Sequence, residues 1–376
     1  MQRKKIIIIL LIVALIIGGT AFYLFYFKKL PALPFGLTGG EEEQKIPSSI
    51  TEVISDEKLK RISTEGAISP IIAADNSRVR YIGGKGDIFE TNFDGSRVQK
   101  IPFTLLQDLV KVVWTKERGA FAAVYGGTEK KKFFFYDLDK KQMTPYASTV
   151  TALALSEMEN KLAYHSTAGL ADTPLIAVAD PDGNNAKTVL QARMRGVDLA
   201  WVSENEIAVS TIPSGLAPNM LWLLNTASSK LSSVLSDIYG LTVRWAPSGE
   251  AFLFGQTNTQ GKGLSLSISN KNGTTIKPLS ITTLPEKCVF AHDEKSIVCA
   301  VPQVLPDIIW PDDYYKKLYI ASEQIWRIDL VSGKQDLLYE FGTSLFNASE
   351  LILSPQEDVV LFVNRENGEL YSLAIK

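Results

Sequence analysis

Between Leu241 and Ile281 four short β-prone runs alternate with turn chemistry: LTVRW, the turn APSG, EAFLFGQT, a polar loop, GLSLSIS, the turn NKNG, and TIKPLSI. A unit of this kind cannot cover its own apolar faces, so its recurrence constrains the fold more than any single motif does. The first run and its turn recur as IIAADNS (71–77), VVWTKERG (112–119), LALSEMEN (153–160), LAWVSENE (199–206), VRWAPSGE (243–250), VFAHDEKS (289–296) and LILSPQED (351–358). Their spacing is close to the ~40–45 residues of a four-stranded blade. Each is followed by a β-branched or aromatic second run, such as RVRYIGG or EAFLFGQT, and then by a third, such as KFFFYDLDK or QIWRIDLVSG. The expected fold class is all-β: a β-propeller of seven four-stranded blades over residues 51–376.

Six of the third runs lead into a fourth (RVQKIPF, QMTPYA, KTVLQA, KLSSVLS, TIKPLSI, KQDLLYEF), and the last, ELYSLAIK, does not. Leu59 to Ser63 (LKRIS) precedes the first unit and has the form of a fourth run. Because an open ring would expose sheet edges, this N-terminal strand is expected to complete the last blade; the plainer alternative is an ordinary lead-in strand. Trp114, Trp201, Trp245 and Phe290, with Leu155 and Leu353, fall at matching places near the ends of first runs. They are expected to fill the gaps between neighbouring sheets rather than to form an aromatic cage.

The strand, turn and second strand echoed by Trp245-Ala-Pro-Ser-Gly249, Leu353-Ser-Pro-Gln356 and Lys161-Leu-Ala-Tyr164 resemble the bacterial WD-like or TolB-type propeller repeat. No Trp-Asp dipeptide ends a third run, and most turns lack an Asp-Gly pair. That family is functionally diverse, so the resemblance implies a fold and no particular activity.

Residues 1–29 carry a different signal. Arg3, Lys4 and Lys5 precede the uncharged run Ile6 to Phe27, which exceeds the ~20 residues a helix needs to cross a bilayer and ends in an aromatic belt. The expectation is an uncleaved signal anchor spanning 6–27, with its N-terminus cytoplasmic and everything after Lys29 extracytoplasmic, on a single-pass cell-membrane protein. Residues 30–50, with their prolines, Gly pair and acidic run, are expected to act as a flexible tether.

Among 376 residues, 39 are basic and 41 acidic, and the two signs are interspersed. No basic footprint for nucleic acid is visible, so no nucleic-acid partner is expected. Two cysteines and two histidines leave little for a cluster-type metal site or a nucleophile–base pair. No G-x-S-x-G elbow, Walker loop or Ca-loop pattern occurs, so no catalytic residue, cofactor or metal is expected. His165, in a second run, and His292, in a turn, are expected to be a core and a surface histidine.

The sixth unit departs from the others. Cys288 and Cys299 flank the turn HDEK, and counting outward from Ala291 and Ser296 sets them opposite each other, as a disulfide requires; two separate buried thiols are the alternative. After its second run comes an insertion, Pro302 to Glu323, in which Trp310, Asp312, Asp313, Tyr314 and Tyr315 form an aromatic and acidic cluster. Long loops often carry function, so this cluster is the candidate partner-binding loop; packing over the blade top is the alternative. The cysteine-bearing strands, the Trp-containing insertion and IWRID together are similar to membrane-anchored propeller proteins of uncharacterised function from small-genome bacteria, a likeness that implies no active site. The leading functional expectation is therefore a non-catalytic membrane-anchored scaffold that binds a protein or envelope component. The rivals are an envelope glycan lyase or hydrolase with a carboxylate site, Asp312 and Asp313 included, and a ligand-sensing or secretion-accessory module.

Overall fold

The computed structural model describes residues 57–101, 109–126, 131–169, 173–319, 321–342 and 344–376. They form antiparallel sheets with almost no helix, the arrangement of a β-propeller. Five sheets have four strands, and one of seven strands contains the 16-residue strand Lys230–Trp245. That strand pairs with Pro218–Asn225 along its first half and with Ala251–Thr257 along its second. The sequence reading separates KLSSVLS from LTVRW, yet no turn intervenes. Left-handed residues at Asp237 (φ 58°) and Gly240 (φ 67°), together with bulges, bend one continuous strand from one four-strand set into the next.

The first strands face one another around an axis. Ala67–Ile72 packs against Leu109–Trp114 on one side and against Ala348–Leu353 on the other, and Leu109–Trp114 and Val197–Ser203 flank Val150–Leu155. The 3₁₀ turn Pro285–Lys287 touches both Lys230–Trp245 and Ala348–Leu353, which carries the ring past the sixth unit. Closure comes from the N-terminal strand: Leu59, Lys60 and Arg61 pair with Leu373, Ser372 and Tyr371 of the final sheet.

The turns after the first strands explain why the repeat is legible. Asn76, Arg118, Gly249, Glu294 and Glu357 all take left-handed φ, and each N–H donates to the carbonyl three residues earlier. The neighbouring units enforce this geometry even at Arg118, Glu294 and Glu357, where no Gly or Asn favours it. The large side chains at the ends of these strands lie between sheets. Trp114 packs with Ile68, Ile71 and Phe121, and its Nε1 donates to the Ser69 carbonyl at 2.9 Å. Trp201 joins the cluster of Ala154 and Ile176, and its Nε1 donates to the Ala154 carbonyl at 3.1 Å.

Cys288 lies opposite Cys299 and the two are disulfide-bonded, both fully buried. The bridge closes a loop with a sequence separation of 11 residues. Replacing both cysteines with Ala should therefore lower stability by about 3 kcal/mol, read as a fall in denaturation midpoint at constant slope. No change in midpoint would show that the strand pairing alone holds this unit.

One expectation is corrected. Among the described residues no helix is long and apolar enough to cross a membrane, so the single-pass localisation finds no support in the structure. Ile6 to Phe27, on which it rested, and the tether 30–50 lie outside the described residues.

Candidate functional site at the channel mouth

Because consecutive strands are antiparallel, the loops between second and third strands share one face with the entry ends of the first strands. The insertion of the sixth unit is such a loop, so it lies over the mouth of the central channel. Its one helical turn, Asp312–Tyr315, rests on neighbouring units. Asp312 accepts the Gly215 N–H at 2.7 Å and the Ser214 hydroxyl at 3.2 Å, and the Trp310 N–H donates to the Gly261 carbonyl at 2.8 Å. The fit is close enough that a side chain at Gly215 would collide with the Trp310 carbonyl and the Gly261 backbone.

The candidate partner-binding cluster is divided by this packing. Trp310 and Tyr314 are buried, and with Leu264, Leu284 and Tyr319 they form a small core of their own. They are therefore not the exposed contacts expected of them: rings brought together in one loop bury each other before they meet a partner. Asp312 is committed to Ser214 and Gly215. Asp313 accepts the Ile309 N–H at 2.8 Å, which lowers the pKa of its carboxyl. The two acids therefore serve as loop anchors and form no catalytic pair. Tyr315 alone of the three aromatics is open to solvent, and its hydroxyl donates to Glu286 Oε2 at 2.7 Å.

Beneath the insertion lies an ion pair that the sequence does not announce. Lys287 and Glu323 are 1% and 0% exposed, with Nζ 2.9 Å from Oε1. Nζ also donates to Asn347 Oδ1 at 2.9 Å and to the Ala348 carbonyl at 2.6 Å. Glu323 in turn accepts the Tyr319 hydroxyl at 2.6 Å and the Ala348 N–H at 2.8 Å. Burial lowers the Lys287 pKa, and Glu323 opposes that shift. The Arg365 guanidinium stacks 3.9 Å from the Tyr314 ring centre. Together these contacts clamp the insertion to the sixth and last units.

At the axis, Ser69 (φ 48°), Gly240 (φ 67°) and Glu350 (φ 52°) occupy matching bulges in three first strands. Two of the three are not glycine, and left-handed strain of this sort collects at functional positions. Ser69 links units: its hydroxyl accepts the Val112 N–H at 3.1 Å and its carbonyl accepts the Trp114 indole. Glu350 is solvent-exposed, yet the protein around it desolvates the carboxyl enough to raise its pKa. Lys111, the Ser69 N–H and Arg365 oppose that shift, while Glu286 adds to it. These groups come from the first and second sheets, from Glu350's own sheet and from the 3₁₀ turn Pro285–Lys287, so the carboxyl sits where those elements approach one another. Arg244, in the strand Lys230–Trp245, has its pKa lowered by burial against the pull of Glu286 and Glu157. Among the described residues its guanidinium has no hydrogen bond or ion-pair partner within contact distance.

His165 is a core residue, with Nε2 3.1 Å from the Met194 carbonyl and Nδ1 2.6 Å from Thr151 Oγ1. A carbonyl can only accept, so Nε2 carries the proton and Nδ1 accepts from Thr151. His292 lies on the surface, 3.1 Å from Glu357. A cavity of about 320 Å³ opens at the opposite face, lined by Glu117, Asp137, Asp139, Asp180 and Asp182. Several of those acids are turn residues already bonded to Lys140, Lys161, Asn184 and Asn185.

No protein-family model and no curated protein matches the sequence. Solved structures do match in fold. An oligogalacturonate lyase in complex with manganese superposes with a TM-score of 0.61 at 12% identity, covering 85% of this chain and 93% of that one. The oligogalacturonate lyase of Vibrio parahaemolyticus gives the same values. TolB from Acinetobacter baumannii aligns with a TM-score of 0.45 at 12% identity, over 74% of this chain and 65% of that one. The expectation that the chain is not an enzyme is thereby corrected: its fold is one that an enzyme uses over nearly its whole length. Among the described residues no side-chain group is placed to hold a metal ion such as the manganese of that lyase. Among the described residues no three His, Cys, Asp or Glu side chains converge, and both histidines are engaged elsewhere.

Proposed function

We propose that the chain is a glycan lyase or hydrolase that cleaves an acidic oligosaccharide at the channel mouth, with Glu350 as the proton donor to the departing glycosidic oxygen. The propeller carrying this site has seven blades, the seven-stranded sheet counting as two units that share Lys230–Trp245. The placement of Glu350 supports the reading best. Glu350 sits on a left-handed bulge, and desolvation raises the pKa of its carboxyl above that of an ordinary glutamic acid. Elimination and hydrolysis both require a proton on the leaving oxygen, so this role is common to the two. Arg244, with an unengaged guanidinium, and Lys111 supply positive charge for a substrate carboxylate. The likeness to oligogalacturonate lyase supports the choice of an acidic glycan.

The full chain should release new reducing ends from uronate oligosaccharides, and ultraviolet absorbance of an unsaturated product would distinguish elimination from hydrolysis. Glu350→Gln should lower kcat by about 10²- to 10⁴-fold without shifting the melting temperature. A proton donor acts below its pKa, so the rate should fall as pH rises through the Glu350 value, which lies above the ordinary 4.5. Lys111 favours the ionised carboxylate, so Lys111→Met should move this alkaline limb to higher pH. No cleavage of any acidic oligosaccharide, or full activity in Glu350→Gln, would reject the reading.

A further inference from the structure

Between the fourth strand set and the insertion, a second cavity of about 150 Å³ opens beside the channel. Asp198, Ser210, Thr242, Trp245, Glu286 and Tyr315 contribute to its wall. That wall contains two carboxylates and no Lys, Arg or His. Its acceptors outnumber its donors. The Tyr315 hydroxyl is spent on Glu286, Asp198 Oδ1 accepts only its neighbour's N–H at Leu199, and Thr242 Oγ1 is buried with no hydrogen-bond partner. Asp198, Glu286 and Tyr315 share this wall, and the Tyr315 hydroxyl donates to Glu286 Oε2 at 2.7 Å. Arg244 interacts with Glu286 as well but is not part of the wall.

An acceptor-rich, negatively charged pocket with aromatic rings in its wall fits a group that brings three donors and a positive charge. We infer that this cavity is a binding site for the primary ammonium group of a small polar ligand, received by Asp198 and Glu286 under the roof of Tyr315. The volume accommodates an amine on a compact frame rather than an extended chain. Glu350 is not part of this wall, and the inference does not depend on its assignment as a proton donor.

Calorimetric titration of the full chain at neutral pH tests this with matched probes. D-glucosamine should bind, whereas N-acetyl-D-glucosamine, in which the same nitrogen is an uncharged amide, and D-glucose should bind at least tenfold more weakly. Ethanolamine separates the sources: binding as tight as that of glucosamine means that the ammonium alone is read, and weaker binding means that the sugar frame contributes. Asp198→Asn should weaken glucosamine at least tenfold, and Thr242→Val should weaken it with the melting temperature checked alongside. Glucosamine binding with no cleavage of any acidic oligosaccharide would leave this inference standing while the catalytic reading fails, which keeps the two distinguishable. Equal affinity for the amine and its N-acetyl form, no binding of either amine, or an unaltered affinity in Asp198→Asn would overturn it.

Discussion

Deleting residues 51–64 should leave a protein that no longer unfolds as one cooperative unit at its normal temperature. The strand Leu59–Arg61 is the outermost strand of the last sheet, and its neighbours extend the seam. The Ile62 and Ser63 N–H groups donate to the Leu370 carbonyl, the Ala374 N–H donates to the Lys58 carbonyl, and the Ser63 hydroxyl accepts the Leu370 N–H at 2.8 Å. Leu59 is 4% exposed and Ile62 6%, each inside a different inter-sheet cluster. Losing two buried aliphatic side chains costs about 3–6 kcal/mol before the newly exposed edge of Leu370–Ala374 is counted. That is a large share of the ~5–15 kcal/mol that holds a domain together. The measurements are the melting temperature and the oligomeric state, since a freed edge invites strand addition from a second molecule. An unchanged melting temperature would mean that the ring is held without this seam.

Glu323→Gln should be the most damaging conservative substitution in the chain. The Lys287 ammonium has three donors and three acceptors around it, Glu323 Oε1, Asn347 Oδ1 and the Ala348 carbonyl, with no route to water. Removing the carboxylate charge leaves a buried cation without its counter-ion, which costs about 3–5 kcal/mol. Lys287→Met alone should cost a similar amount, because it strands the carboxylate instead. Replacing both, as Lys287→Met with Glu323→Leu, should recover most of the loss, because two apolar side chains need no counter-charge. Denaturant midpoints of the four proteins give the coupling directly. Additive single losses would show that the pair is solvated and that the insertion is held by its aromatic core alone. The cluster also fixes Tyr319, Ala348 and, through the insertion, Tyr315, so the single variants should loosen the channel mouth as well as the fold.

The recurrence of strand and turn determined the ring of sheets, the order of strands within each and the place where the ends meet, because each of these follows from contacts within about forty residues or from one leftover strand. Counting outward from a turn set Cys288 opposite Cys299 for the same reason: antiparallel register is a local property. The insertion was legible as a departure from the repeat, but its solvent exposure was not. Trp310 and Tyr314 bury each other and Tyr319, and only the tertiary packing decides which ring is left outside. The channel groups were hidden altogether. Ser69, Lys111, Arg244, Glu286 and Glu350 come from separate units, and no spacing in the chain brings them together. Bulges at Ser69 and Glu350 also shift the side-chain alternation by one residue, so the pattern that marks a strand misreports which way its residues face. Strand identity is written in neighbouring residues and could be read there, whereas a site at the axis exists only once the ring has closed around it.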